Sequence, residues 1–205
     1  MPIEFVEFPK IARLSRNMII TEKIDGTCGC IFIGEDGEFL VGSRTRWITP
    51  ETDNHGFARW AHEHKDELMA LGPGRHFGEW WGGGIQRGYG LQKGEKRFSL
   101  FNVTRWCLYG TEPEPIPTGD PHITKMQDIL PPGVGLVPIL YRGGLFSLEE
   151  VDQTIVRLKK FGSMAVPGFM NPEGVVVYHV AGNCMFKKTI KGDEGKHEIR
   201  GGHNV

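Results

Sequence analysis

No stretch of this 205-residue chain is apolar for the roughly 20 residues that a membrane-spanning helix requires. Its first residues carry Glu4 and Glu7 where a secretory leader would be basic, so the sequence predicts a cytoplasmic protein. Cysteine is scarce: Cys28, Cys30, Cys107 and Cys184 could make two disulfides or one zinc site. The single residue between Cys28 and Cys30 is shorter than the usual zinc-knuckle spacing, and no His-x-His pattern accompanies the other two, so scattered core thiols in a reducing compartment are expected. A large excess of one charge is also missing. The formal net charge of −1 excludes a protein that coats nucleic acid by bulk electrostatics, although a local basic groove needs cations only where a strand runs. There are no internal repeats. Gly82-Gly83-Gly84 lacks the downstream Gly-Lys-Ser/Thr of a P-loop, and no helix clearly follows it.

What is present is an ordinary globular composition, 39% hydrophobic and 24% charged, which argues against disorder. The length predicts one domain spanning 1–205, able to bury a core without disulfides or metals. Short strands separated by glycine are expected at about 17–24, 29–34, 38–43, 75–81, 97–103, 106–109, 136–141, 174–180 and 183–190. Two helices stand out. Asn54 is placed to cap one from about 55 to 71, with Phe57, Trp60, Ala61, Leu68 and Leu71 on its buried face and His62 and His64 solvated. Ser147-Leu148-Glu149-Glu150 is a capping box for the other, whose stripe is Val151, Ile155 and Leu158 and whose end is marked by Gly162. The fold class is therefore α+β, with antiparallel sheets around a cleft. The stretch from Glu112 to Pro121 is expected to be a surface loop.

The chemistry concentrates at Thr21-Glu22-Lys23-Ile24-Asp25-Gly26-Thr27, which follows the apolar run Met18-Ile19-Ile20. A pleat of period two puts Lys23 and Asp25 on one face, with Gly26 permitting the turn that exposes them. A lysine amine attacks phosphorus only when deprotonated, so such a site must favour the neutral form through neighbouring cations or desolvation. Five further segments follow in order: Val41-Gly42-Ser43-Arg44-Thr45-Arg46; His76-Phe77-Gly78-Glu79-Trp80-Trp81-Gly82; Phe98-Ser99-Leu100-Phe101-Asn102-Val103; Pro172-Glu173-Gly174-Val175-Val176-Val177; and Met185-Phe186-Lys187-Lys188-Thr189.

This ordered set resembles the nucleotidyltransferase motifs of the ATP-dependent polynucleotide ligases and mRNA capping enzymes. With Glu22 before the lysine and Thr27 after the glycine, it is most similar to the RNA ligase branch, from about Glu22 to Lys191. The resemblance implies an adenylation domain of antiparallel sheets with flanking helices around an ATP cleft. It implies ATP and Mg²⁺ or Mn²⁺ as cofactors, and RNA 5′-phosphate and 3′-hydroxyl ends as partners, DNA ends not being excluded. Lys23 is then the nucleophile that takes up AMP, with Asp25, Arg44, Glu173 and Lys187 beside it in the catalytic set. Glu22, Ile24, Arg44, Glu79, Phe101, Lys187 and Lys188 contact the nucleotide: Glu79 at the ribose hydroxyls, Phe101 stacked on adenine, Arg44 and Lys187 at the phosphates. Glu173 is the metal ligand. Alone it would favour the charged lysine, whereas a cation held by it reverses that effect.

The chain departs from the family pattern in three places. Asn102 stands where an aspartate follows the stacking aromatic, and Cys28 stands where many relatives carry asparagine. The last motif normally carries Lys-x-Lys, but here Lys187 and Lys188 are adjacent and point to opposite faces of a strand. Lys188 serves if the strand bulges; otherwise Thr189 takes the place. Arg46, Arg87, Lys93, Lys96, Arg97 and Lys191 also flank the motifs, Lys93 and Lys96 being expected as solvated surface charges. DNA ligases and capping enzymes, the alternatives within the enzyme class, normally append an oligonucleotide-binding barrel after the last motif, and none is expected here, which argues against capping; retention of Lys23 argues against an inactive end-binding module, and a monomer is expected.

Overall fold

A computed structural model describes residues 3–101, 130–131 and 133–192. The expected strand at 106–109, Cys107, Asn102 and the 112–121 loop lie outside the described residues. Among the described residues the chain forms two sheets. The smaller has the order β10-β9-β1-β8, from β1 (Asn17–Lys23), β8 (Ile139–Leu145), β9 (Gly174–His179) and β10 (Cys184–Thr189). The larger has the order β4-β3-β2-β5-β6-β7, from β2 (Thr27–Ile33), β3 (Phe39–Ser43), β4 (Trp47–Ile48), β5 (Gly74–Gly82), β6 (Lys96–Leu100) and β7 (Val134–Leu136). All ladders are antiparallel except β6 with β7, which run parallel. No described helix is long and apolar enough to cross a membrane.

Alternation along the strands decides where the cores sit. In the larger sheet Ile31, Ile33, Val41, Trp80, Phe98 and Leu100 face α1 (Phe57–Glu63) and α2 (Lys65–Leu68), meeting Phe57, Ala58, Ala61 and Leu68. In the smaller sheet Met18, Ile20, Val175 and Val177 face α3 (Leu148–Phe161), meeting Val151, Ile155 and Leu158. A third cluster of Ile24, Trp81, Tyr89 and Val137 joins the sheets at the base of the cleft between them.

The cap and the stop of α3 fall where expected, although the Glu150 carboxylate pairs with Arg157 at 2.6 Å. Ser147 Oγ accepts from the Glu150 N–H at 3.3 Å, and Gly162 ends the helix. The first helix differs in two respects. Its opening turn is held by Asp53, whose carboxylate accepts from the N–H groups of Asn54, Ala58 and Arg59 at 2.6, 2.7 and 3.2 Å, while Asn54 donates its amide to Thr27 Oγ1 at 2.8 Å. The expected continuous helix is also broken at His64, whose ring meets the Trp60 carbonyl at 2.9 Å. His64 leaves helical geometry at φ −112° and ψ 23°, although its N–H still donates to the Trp60 carbonyl at 3.0 Å.

Candidate active site

Lys23 is the last residue of β1, the strand flanked on both sides by partners in the smaller sheet. Cross-strand register puts Lys23 opposite Gly174, Gly174 opposite Thr189, and Thr21 opposite Val176, which in turn faces Lys187. Directly opposed residues share a face. Lys23, Val176, Lys187 and Thr189 therefore line one side of the sheet, and the buried stripe against α3 lines the other.

The lysine amine donates to Glu173 Oε2 at 2.6 Å, with both side chains partly buried. From the facing sheet, Glu79 Oε1 accepts from the Gly26 N–H at 3.0 Å. Burial pushes the Glu79 carboxyl up to about 7; the Lys23 charge and the Gly26 bond oppose the rise, and the negative charges of Glu173 and Asp25 add to it. Glu79 is thus within electrostatic reach of the Lys23–Glu173 pair and of Asp25. Gly26 is needed here for a close approach: a Cβ at this position would collide with the Trp80 carbonyl and lie 2.7 Å from Trp81 Cβ. Its φ is not in the left-handed region, so the turn itself does not demand glycine.

Asp25 comes to the same site by a different contact from its neighbour. Its carboxylate accepts from Arg87 Nε at 2.8 Å, and Arg87 Nη1 also donates to Asn171 Oδ1 at 2.9 Å. The Tyr89 hydroxyl accepts from the Asp25 N–H at 3.0 Å and donates to the Lys23 carbonyl at 3.5 Å. Tyr89 is fully buried at a φ of 52°, a conformation that costs an L-residue about 1–3 kcal/mol and persists only where surrounding contacts hold it. Arg87 and Tyr89 thus tie the nucleophile's turn to the loop carrying Glu173. Sequence reasoning placed Arg87 among the flanking cations only and did not single out Tyr89; the positions after Gly82-Gly83-Gly84 carried no motif.

Other expected site residues divide by strand parity. Arg44 is exposed in the tight turn between β3 and β4, close enough for its charge to lower the Cys28 thiol's proton affinity, although burial and Glu79 leave that thiol raised overall. Phe101 is half-buried against the inter-sheet cluster, its N–H donating to the Phe77 carbonyl at 3.0 Å, on the same face of the larger sheet as Glu79. Trp80 turns the other way into the core, while Trp81 shares the Glu79 side and donates to Ser99 Oγ at 2.9 Å. Ile24 is buried in the inter-sheet cluster, which leaves its backbone for any nucleotide contact.

Two expected contacts require correction. Lys188 lies opposite Val175 on the α3 face and pairs with Asp152, so it does not enter the cleft; β10 runs without a bulge, and Thr189 takes the second position. The Glu22 side chain also points away from the cleft. It is buried beyond the end of α3, where Oε2 accepts from the Met164 and Ala165 N–H groups at 2.8 and 3.0 Å, and burial raises its proton affinity. Both follow from the period-two pleat, which sends neighbours of cleft residues to the opposite side.

The donor set suits a hard divalent cation, since Glu173, Glu79 and Asp25 all offer oxygen. No three His, Cys, Asp or Glu side chains among the described residues are arranged to hold a metal unaided. Nucleotide phosphates and water would have to complete its shell, as is usual for Mg²⁺.

Residues 16–191 match the family model described as RNA ligase. Among solved structures, the chain is similar to variants of Naegleria gruberi RNA ligase. With the form bound to AMP and manganese it shares 20% identity at a TM-score of 0.57, covering 87% of this chain and 51% of that one. With a form bound to ATP and manganese the values are 20% and 0.54, covering 86% and 50%; an apo form gives 20% and 0.56 with the same coverage. The likeness shows a shared α+β fold, and the chain spans about half the length of those proteins. No curated protein sequence matches it. The family match over most of its length shows that the chain belongs to the RNA ligase family.

Proposed function

We propose that this chain is an ATP-dependent RNA ligase that joins 5′-phosphate and 3′-hydroxyl ends through a lysyl-AMP intermediate. The observation that carries the reading is the Lys23 amine held 2.6 Å from Glu173, with Glu79 of the facing sheet within electrostatic reach of both. A structural lysine has no need of a second acid whose carboxyl is pushed up to about 7 by burial.

In the first transfer the Lys23 ammonium gives up a proton to solvent, Nζ forms a bond to the α-phosphorus of ATP as the bond to the bridging oxygen breaks and pyrophosphate leaves, and a second nitrogen proton passes to solvent. In the second, an oxygen of the RNA 5′-phosphate attacks the same phosphorus, the N–P bond breaks and the departing amine takes up protons from solvent. In the third, the 3′-hydroxyl attacks the 5′-phosphate, its proton passes to solvent and AMP departs. The chain's own residues position and compensate charge in these steps. Arg87 and Tyr89 hold the nucleophile's turn, while Arg44 and Lys187 offer cations to the phosphates. Glu79 and Phe101 supply, on one face, an acceptor for ribose hydroxyls and an aromatic wall for the base. A Mg²⁺ or Mn²⁺ ion held by Glu173 would supply positive charge at the amine and the α-phosphate. We further propose that the chain acts as a single adenylation domain, as a monomer, in the cytoplasm.

The test is incubation with α-labelled ATP and Mg²⁺, followed by a denaturing gel. An acid-labile adduct is expected with the wild type, none with Lys23→Ala, and a severely reduced one with Glu173→Ala. An adduct mapped to another lysine, or a stronger adduct from labelled GTP, would refute the assignment.

A further inference from the structure

The larger sheet's cleft side continues well past the nucleotide residues. Its register builds three rungs. Cys28 stands opposite Glu79; Cys30 lies between Gly42 and Phe77, with Trp47 beyond Gly42; and Phe32 lies between Leu40 and Arg75. At about 3.3 Å per residue, the Phe32 rung lies about 13 Å along β2 from the Cys28 rung. The opposite side of these strands makes the core with α1 and α2, so this side is not needed for that packing.

The outer rungs carry a partly exposed aromatic surface. Trp47 is 47% exposed. Its indole packs against Gly42, where a Cβ would lie 3.0 Å from Cε3 and 3.2 Å from Cζ3. It leans on Phe32 with ring centroids 6.1 Å apart, and the Arg75 guanidinium sits 4.8 Å from the Phe32 centroid and 5.9 Å from that of Trp47. Arg44 and Arg46 are exposed in the turn leading into Trp47. Among the paired side chains of these rungs Glu79, at the nucleotide end, is the single acid.

We propose that this Trp47–Phe32–Arg75 surface binds the unpaired bases of an RNA strand whose reacting end lies in the Lys23 cleft. The inference rests on the ligase reading above and adds the site that holds the polynucleotide. A tryptophan packed against a glycine and 47% exposed offers indole surface for a base to stack on, and the arginines meet the phosphates between bases. Stacking of this kind tolerates any base, which suits an enzyme that must accept ends of varied sequence. The surface is continuous with the nucleotide face, so one strand can reach both.

The test measures binding of a short single-stranded RNA with a 3′ fluorophore, by anisotropy, to the full chain and its variants. Trp47→Ala should weaken binding about tenfold, the loss of one stacked base. Arg75→Ala should weaken it less, and Trp47→Phe should restore most of the affinity. An abasic strand of the same length should bind weakly and equally to wild type and Trp47→Ala. Labelled-AMP adduct formation checks that each variant is folded, and Arg75→Ala carries the test if Trp47→Ala is not. Unchanged RNA affinity in both variants would overturn the proposal. An equal loss on the abasic strand would show phosphate attraction without stacking and overturn it too, as would a Trp47→Ala effect confined to oligomeric state. Failure of the wild type to form any adduct would instead sink the ligase reading, so the two failures are distinguishable.

Discussion

Replacing Glu79 by glutamine should make the protein more stable, and only above acid pH. The Glu79 carboxyl loses its proton near 4.5 when unfolded but is held up to about 7 in the folded chain, chiefly by burial. Between those values the folded state binds the extra proton, so stability falls as pH rises; below 4.5 both states are protonated and the difference vanishes. At about 1.4 kcal/mol for each pH unit the gap comes to about 3 kcal/mol, and partial solvent access trims it to about 2–3 kcal/mol. Glutamine keeps an oxygen for the Gly26 N–H but cannot ionise, so Glu79→Gln escapes this cost. Urea unfolding of both proteins at several pH values from 4 to 8 is the assay. With a slope of about 2 kcal/mol per molar, the two midpoints should nearly coincide at about pH 4 and separate by about 1 M by pH 8. Parallel profiles across that range would show that Glu79 titrates normally, and its place near the Lys23–Glu173 pair would lose its electrostatic meaning.

Two further outcomes concern the Arg87 contacts and the two lysines of β10. Arg87→Ala should slow single-turnover adduct formation about tenfold to a hundredfold, because it removes charge-assisted bonds joining the Asp25 turn to Asn171; Arg87→Lys should recover part of the rate, and a wild-type rate in Arg87→Ala would refute the positioning role. Lys188→Ala should leave adduct formation intact and cost at most about 1 kcal/mol in unfolding, since its pair with Asp152 is a surface one, whereas Lys187→Ala should lose adduct formation about a hundredfold; the reverse ranking would mean that the register of β10 is misplaced.

Parts of this arrangement are legible for local reasons: Lys23 ends β1 three residues before Gly26, Glu173 stands just before Gly174 at the start of β9, Glu79 follows Gly78 within β5, and Ser147 begins the capping pattern of α3. The choice between Lys188 and Thr189 was open in the sequence and is closed by a ladder without a bulge. Arg87 and Tyr89 were not legible, since they lie in an irregular glycine-rich stretch and reach Asp25 across more than 60 residues. The Asn54 cap is not realised because the N-cap position is Gly56, the acceptor for the first-turn N–H groups comes from Asp53, and Asn54 is drawn to Thr27. The short strands β4 and β7 are two and three residues long, too brief for alternation to show.

The connection from β9 to β10 has an arithmetic consequence. Asn183 takes a φ of 45° there, and the turn returns the chain so that Lys187 meets Val176. Which lysine enters the cleft therefore depends on the number of residues in that connection, odd or even, more than on their identity. Inserting or deleting one residue between Val180 and Cys184 would exchange the faces of Lys187 and Lys188, putting the apolar Phe186 on the cleft side and Met185 against α3, while every side chain of the strand remained intact. Substitutions in the connection should be far better tolerated than a change of length, and a two-residue insertion should do less harm than one.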